Sequence, residues 1–288
     1  MWFALAVAAA LCQVLRNTVM KRLGHSLDEY INVWGRFTFL LPFAALFVLW
    51  RGVPVIKPGF AGACVLFASC QIVSTLALSK ALKLAPISLV TPLWKVSLLV
   101  LLGLGYVTLH ERPTAVGVAG VLLSMSGVYL LNVQRARVAW YAPLAVLFTD
   151  AGLRWTLLSA LFFAPSVVTI KWAMQLSDPY MGTLGGYVAA SLMITPLVLW
   201  TSRRHFAQVP RYWKEFLGLG FFAALTTVSQ GIAYLLTLSS YVEAVKQVEI
   251  LFAMVIGALV FGERQTVREI APGALVMLAG MVLLSLAG

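Results

Sequence analysis

Apolar residues fill this chain in long runs, broken by short polar connections, and the polar residues inside the runs are few enough to name. A run of about 20 apolar residues predicts a membrane-spanning helix, because that length at 1.5 Å per residue crosses a hydrocarbon core of ~30 Å. Ten spans are predicted, over roughly 2–21, 31–50, 59–79, 86–108, 114–132, 155–174, 180–200, 215–237, 240–261 and 268–287. Spanning strands are excluded by the same pattern, since they need only ~10 residues of alternating polarity. The expected fold class is an all-α membrane protein.

The spans fall into two sets of five, and the two sets resemble each other. At an offset of 150, Lys21 matches Lys171, Asp28 matches Asp178, Tyr30 matches Tyr180 and Trp50 matches Trp200. Later the offset becomes 152, where Glu111-Arg112 matches Glu263-Arg264 and Thr114 matches Thr266. One residue more aligns Gly120 with Gly273 and Gly127 with Gly280. Charged and aromatic matches in register are not expected by chance in a Leu/Ala-rich chain. The expected organisation is a first five-helix repeat over 1–132, a linker over 133–154 and a second repeat over 155–288. Because five is odd, the second repeat enters the membrane upside down, and inverted-repeat carriers place their sites near the midplane between repeats.

Composition agrees. Hydrophobic residues make up 61% of the chain and charged residues 11%, against about 25% charged in soluble domains. The net charge of +11 is read as loops facing anionic lipid, not as a nucleic-acid surface. With both termini on side A, the connections on side B carry Lys21, Arg22, Lys80, Lys83, Arg135, Arg137, Arg154, Arg203, Arg204, Arg211, Lys214, Arg264 and Arg268. Side A carries Arg51, Lys57, Arg112 and Lys171. The positive-inside rule then puts side B in the cytoplasm and both termini outside. Cys12, Cys64 and Cys70 lie inside apolar runs with no paired spacing, so neither a disulfide nor a metal site is expected. The N-terminus has no basic region and no cleavage site, and reads as a retained helix.

The residues that carry chemistry are the polar ones within the runs. Span nine holds Glu243, Lys246 and Glu249, which share an arc of ~120° on one helix face. Charge inside a membrane is costly and usually faces a bundle interior or watery cavity. The competing reading is a self-neutralising ladder paired at i,i+3. Span one adds Gln13, Arg16 and Asn17 on one face, although Arg16 is near enough to the span end to snorkel. Span two has Arg36, with interface anchoring as its alternative. Span four has Thr91, Pro92, Trp94 and Lys95. A buried Lys95 needs a carboxylate, for which Glu249 is the internal candidate, or an anionic ligand. Spans three and eight offer Gln71, Ser74 and Thr75, and Thr226, Ser229 and Gln230. Most of these suit glue between helices, with Gln71 and Gln230 the site candidates. Glu111 and Glu263 read as turn and interface charges. Trp34, Trp172, Tyr187 and Tyr234 read as packing, and the three histidines fall in loops.

Ten spans, two five-span repeats and the turns His110-Glu111-Arg112 and Gly262-Glu263-Arg264 make the chain similar to EamA-type transporters of the drug/metabolite transporter superfamily. The resemblance implies a secondary active transporter with a central cavity, moving amino acids, other metabolites, sugar phosphates or drugs by alternating access with proton coupling or exchange. Glu249 matches a common family position, but Ile250 stands where a Pro often follows. Family precedent puts the termini in the cytoplasm, against the charge bias. On the residues themselves, Arg16, Asn17, Gln13, Lys95, Trp94, Lys246, Gln71 and Gln230 are expected to bind substrate. Glu243 and Glu249 are expected to carry a coupling proton or hold an amine. Cations outnumber carboxylates among the deep charges. The expected substrate is therefore a small anionic or zwitterionic metabolite, such as an amino acid, a polycarboxylate or a phosphorylated compound, probed from the cytoplasm as in an exporter. The alternatives are a proton-coupled drug or cation exporter and a flippase of a lipid-linked anion. No catalytic constellation is present: His110-Glu111 lacks the second His of a zincin, and there is no G-x-S-x-G. No cofactor, metal or nucleic acid is expected. The partners are a small molecule, the bilayer (a bacterial inner membrane) and protons, with the chain a monomer or homodimer.

Overall fold

The computed structural model describes residues 1–24, 26–85, 90, 93–136, 150–252 and 264–287, without the side chains of residues 21, 131–136 and 264–271. The described residues are helical, with no strand among them. The helices are α1 (Trp2–Gly24), α2 (Glu29–Thr38), α3 (Leu41–Arg51), α4 (Phe60–Leu84), α5 (Ser97–Thr108), α6 (Ala115–Ala136), α7 (Ala151–Gln175), α8 (Pro179–Thr201), α9 (Trp213–Leu236), α10 (Ser239–Val245) and α11 (Arg264–Ala287). A one-turn helix, Arg203–Phe206, and a 3₁₀ turn, Val209–Tyr212, lead into α9. Among the described residues, six segments are long and apolar enough to cross a bilayer: Trp2–Met20, Glu29–Arg51, Phe60–Leu84, Ala151–Gln175, Pro179–Thr201 and Val209–Leu236. Three shorter apolar helices, Ser97–Thr108, Ala115–Leu130 and Pro272–Ala287, stand beside them. The expected spans 86–108 and 240–261 lie partly outside the described residues.

Local chemistry accounts for the ends. The aspartates matched between the halves are helix caps: Asp28 accepts from Ile31 N at 2.9 Å and Asp178 from Met181 N at 2.6 Å. Each fixes the start of the second span of its half by satisfying an orphan donor. Asp150 does the same for α7 through Leu153 N at 2.9 Å. The second expected span is broken between α2 and α3. Pro42 has no N–H to give the carbonyl of Thr38, so the helix ends there and restarts at Leu41.

The packing pairs helices across the halves. α4 lies along α7, and α1 along α9; these two pairings exchange when the halves are swapped. α6 packs on α11, span five of one half on span five of the other. That contact is backbone-close. A Cβ on Gly127 would meet Met277 N at 2.3 Å, and one on Gly280 would meet Ser124 N at 2.4 Å. Small residues allow such an approach, which is how helices gain packing energy where lipid offers no hydrophobic drive. Outside, the bundle is apolar: Leu46, Leu192, Tyr106, Val107, Leu275 and Leu286 are all exposed. Trp50 and Trp200, matched in the repeat, are 78% and 85% exposed at the ends of α3 and α8, as interfacial aromatics are.

Two glycines on α9 give a controlled test of this packing. A Cβ on Gly220 would fall 1.9 Å from the carbonyl oxygen of Phe39, in the break between α2 and α3, whereas Gly218 faces open space. Gly220→Ala is expected to cost ~1–3 kcal/mol by overpacking, seen as a lower melting temperature of the detergent-purified protein. Gly218→Ala should leave the melting temperature unchanged or raise it slightly.

Candidate functional site

A cavity of about 630 Å³ opens between the two halves. Its walls are α1, α2, α4, α7, α8, α9, α10 and the residues around Lys95 and Glu249, and no described side chain of α6 or α11 lines it. All ten residues expected from the sequence line it: Gln13, Arg16, Asn17, Gln71, Trp94, Lys95, Gln230, Glu243, Lys246 and Glu249. Arg36, Tyr187 and Tyr234 join them. The lining reaches Met20, Leu82 and Val90 at the side-B ends of their spans. Towards side A it stops at Met174, Tyr234 and Glu243.

Span nine carries the densest chemistry, and its helix is not uniform. After α10 the backbone tightens into a 3₁₀ turn over Lys246–Val248 and returns to α-helix at Glu249. Glu243 sits in a closed network: its Oε1 accepts from Tyr234 Oη at 2.5 Å, Gln230 Nε2 at 2.9 Å and Lys246 Nζ at 3.0 Å. Lys246 also donates to Gln230 Oε1 at 2.6 Å, and Tyr234 meets Gln230 as well. The ladder expected along this face is therefore half made. Lys246 pairs with Glu243, but Glu249 stands apart and takes a hydrogen bond from Gln13 of α1.

The cations elsewhere in the cavity lack such partners. Lys95 is 7% exposed, makes no ion pair among the described residues, and has the Trp94 ring 5.1 Å from its Nζ. The Glu249 partner anticipated for it is within electrostatic reach but not in contact. Arg16 is 6% exposed, not snorkelled to an interface, and donates only to its neighbour Asn17 Oδ1, at 3.0 and 3.3 Å. Arg36 closes α2 just before the mid-span break, and its Nε is buried without an acceptor. The amide of Gln247 is likewise buried without a partner.

Other expected site residues divide their roles. Gln71 accepts from Ser166 Oγ at 2.9 Å, while Ser74 bonds the Ser159 carbonyl at 3.0 Å, so this stripe ties α4 to α7 and also faces the cavity. Trp94 donates to Ser159 Oγ at 3.0 Å and lays its ring 4.7 Å from Phe163. Thr91, Pro92 and Glu263 lie outside the described residues.

Two expectations need correction. Glu111 is not an interface charge and Lys171 is not a loop charge. Both are buried, and Lys171 Nζ meets Glu111 Oε1 at 2.7 Å. Glu111 also accepts from Ser239 N at 2.9 Å, and Lys171 donates to the Thr237 carbonyl at 2.8 Å. This knot fastens the turn after α5, the end of α7 and the start of α10 on the side-A edge of the cavity. Charge this close to a span end escapes to water unless a partner lies within reach, and here one does.

Fold and site define a multi-pass helical membrane protein with a polar cavity between two related halves. The model of the EamA-like transporter family matches residues 1–133 and 150–286, and the chain belongs to that family of membrane transporters. Membership excludes the enzymatic reading. A protein of solved crystal structure is similar over 99% of this chain and 95% of its own, with a TM-score of 0.75 at 15% identity, which speaks for the fold alone. No curated protein sequence matches.

Proposed function

We propose that the protein is a secondary active transporter of a small anionic or zwitterionic metabolite, working by alternating access with proton coupling or exchange. The observation that carries this reading is the excess of unpaired cations in the cavity. Among the described residues, Arg16, Arg36 and Lys95 have no carboxylate contact, while Lys246 and Glu243 neutralise each other. A buried charge left unpaired costs several kcal/mol, and an anionic solute supplies the missing partner. Glu249, bonded only through Gln13, is the carboxylate free to take up a proton or an amine. Glu243, engaged by three donors, serves to hold Lys246 and Tyr234 in place.

The reading extends to organisation. The repeats occupy 1–132 and 155–288 with a linker at 133–154, and the second is inverted relative to the first. The exchange of the α4–α7 and α1–α9 pairings supports this. Side B, rich in Lys and Arg, lies in the cytoplasm of a bacterial inner membrane. The cavity then faces the cytoplasm, as an exporter's loading state would.

The test is counterflow in proteoliposomes preloaded with glutamate, succinate or glycerol 3-phosphate. At least one of these solutes should drive labelled uptake well above protein-free vesicles. Uptake of tetraphenylphosphonium alone would overturn the reading in favour of a cation exporter.

A further inference from the structure

The cavity's charges can be summed residue by residue. Arg16, Arg36, Lys95 and Lys246 face Glu243 and Glu249, and the Lys246–Glu243 ion pair at 3.0 Å removes one charge of each sign. Glu249 offsets one of the three remaining cations when ionised. Two positive charges are left over, on groups that are nine-tenths buried at Arg16 and Lys95.

Those charges are not in one place. Arg16 lies within electrostatic reach of Arg36 and of the Tyr187 phenol, and Lys95 within reach of Lys246. Glu243 and Glu249 are neighbours common to both. There are thus two cationic loci. The first is an arginine pair built by α1 and the last turn of α2. The second is a single ammonium on span four, over the face of Trp94.

We infer that the solute carries two negative charges: in a dicarboxylate, Arg36 together with Arg16 holds one and Lys95 the other, and in a phosphate monoester the doubly charged head sits at the arginines. This rests on the anion-transporter reading above and narrows it. The buried, acceptor-less Nε of Arg36 supports the assignment, because such a donor is left open only where a ligand or water completes it. Arginine pairs suit a carboxylate or phosphate through forked hydrogen bonding, while a lone lysine acts as a point charge. A dicarboxylate would use both loci. A phosphate monoester would place its doubly charged head at the arginines.

Matched probes test this on the purified full chain by isothermal titration at neutral pH. Succinate is compared with butyrate, adipate with hexanoate, and glycerol 3-phosphate with its singly charged methyl diester. At least one dianion should bind about ten- to hundredfold tighter than its monoanionic match, the effect of one charge-assisted contact. Arg36→Gln should erase that preference for either dianion, with monoanion affinity nearly unchanged. Lys95→Gln should erase it for dicarboxylates and spare a phosphate monoester. Lys95→Arg keeps the charge and should keep the preference, which separates a lost locus from a misfolded variant. The inference is overturned if every dianion binds no better than its match, or if Arg36→Gln leaves the preference intact. A monoanion or neutral zwitterion that binds and is transported while dianions do not would sink the inference and leave the transporter reading standing. Binding confined to tetraphenylphosphonium would sink both.

Discussion

Glu111→Ala is expected to destabilise the protein by about 3–5 kcal/mol, the usual cost of leaving one member of a buried ion pair behind. Lys171 would lose its 2.7 Å partner and keep only the Thr237 carbonyl at 2.8 Å. Ser239 would lose the acceptor of both its N–H and its hydroxyl. The truncation also empties the space beside Gly105, where a Cβ would lie 2.6 Å from Glu111 Oε2, and so adds a cavity to the loss. The measurement is thermal unfolding of the detergent-purified protein followed by tryptophan fluorescence. The double variant Glu111→Leu with Lys171→Met should recover most of the loss, since an apolar pair of similar volume leaves no orphaned charge. Equal melting temperatures for Glu111→Ala and the wild type would show that the pair contributes nothing.

Glu249→Gln is expected to uncouple transport from the proton gradient without abolishing binding. The substitution keeps the side chain's shape and an acceptor for Gln13, so the wall of the cavity survives. What goes is the one carboxylate lining the cavity without a basic partner. In proteoliposomes, accumulation driven by an imposed pH difference should fall about tenfold or more, as expected for loss of a group acting directly in proton transfer. Equilibrium exchange of the same solute should continue. Glu243→Gln should behave differently. It breaks the ion pair with Lys246 and lowers stability, because that carboxylate is a structural hub for Tyr234, Gln230 and Lys246. Gradient-driven accumulation surviving in Glu249→Gln but lost in a folded Glu243→Gln would reverse the two assignments.

Much of the fold is legible in the sequence because lipid admits few alternatives: long apolar runs must be helices, and their polar residues must face inward. The cavity residues could be named for the same reason. Arg16 and Lys95 are expensive in a membrane unless they line something wet or anionic. The repeat also carried information beyond the span count. Asp28 and Asp178 match because each caps the second span of its half. What the sequence could not show is partnership. Glu111 and Lys171 are 60 residues apart, and nothing local signals that they meet, although each has a counterpart in the other half. Glu249 was expected beside Lys95, but Gln13 of α1 takes it instead, a partnership across 236 residues that no local pattern announces. Arg36 could not be separated from an interface anchor because the break after α2 was not foreseen. Pro42, six residues on, was the available signal.

The crossed pairing of α4 with α7 and of α1 with α9 bears on how such a chain arises. Neither half holds the partner of its own inner helices, so one half alone would be an unfinished bundle with its glycine-lined α6 or α11 face unmet. On the inverted-repeat reading it would need a second copy, lying the other way up, to complete itself. Joining two copies end to end turns that encounter from a bimolecular search into an intramolecular one, at an effective concentration set by the connecting segment. Once joined, the copies no longer have to be identical. Lys95 stands where the other half carries Gln247, so the two halves line the cavity unequally and leave it rich in cations.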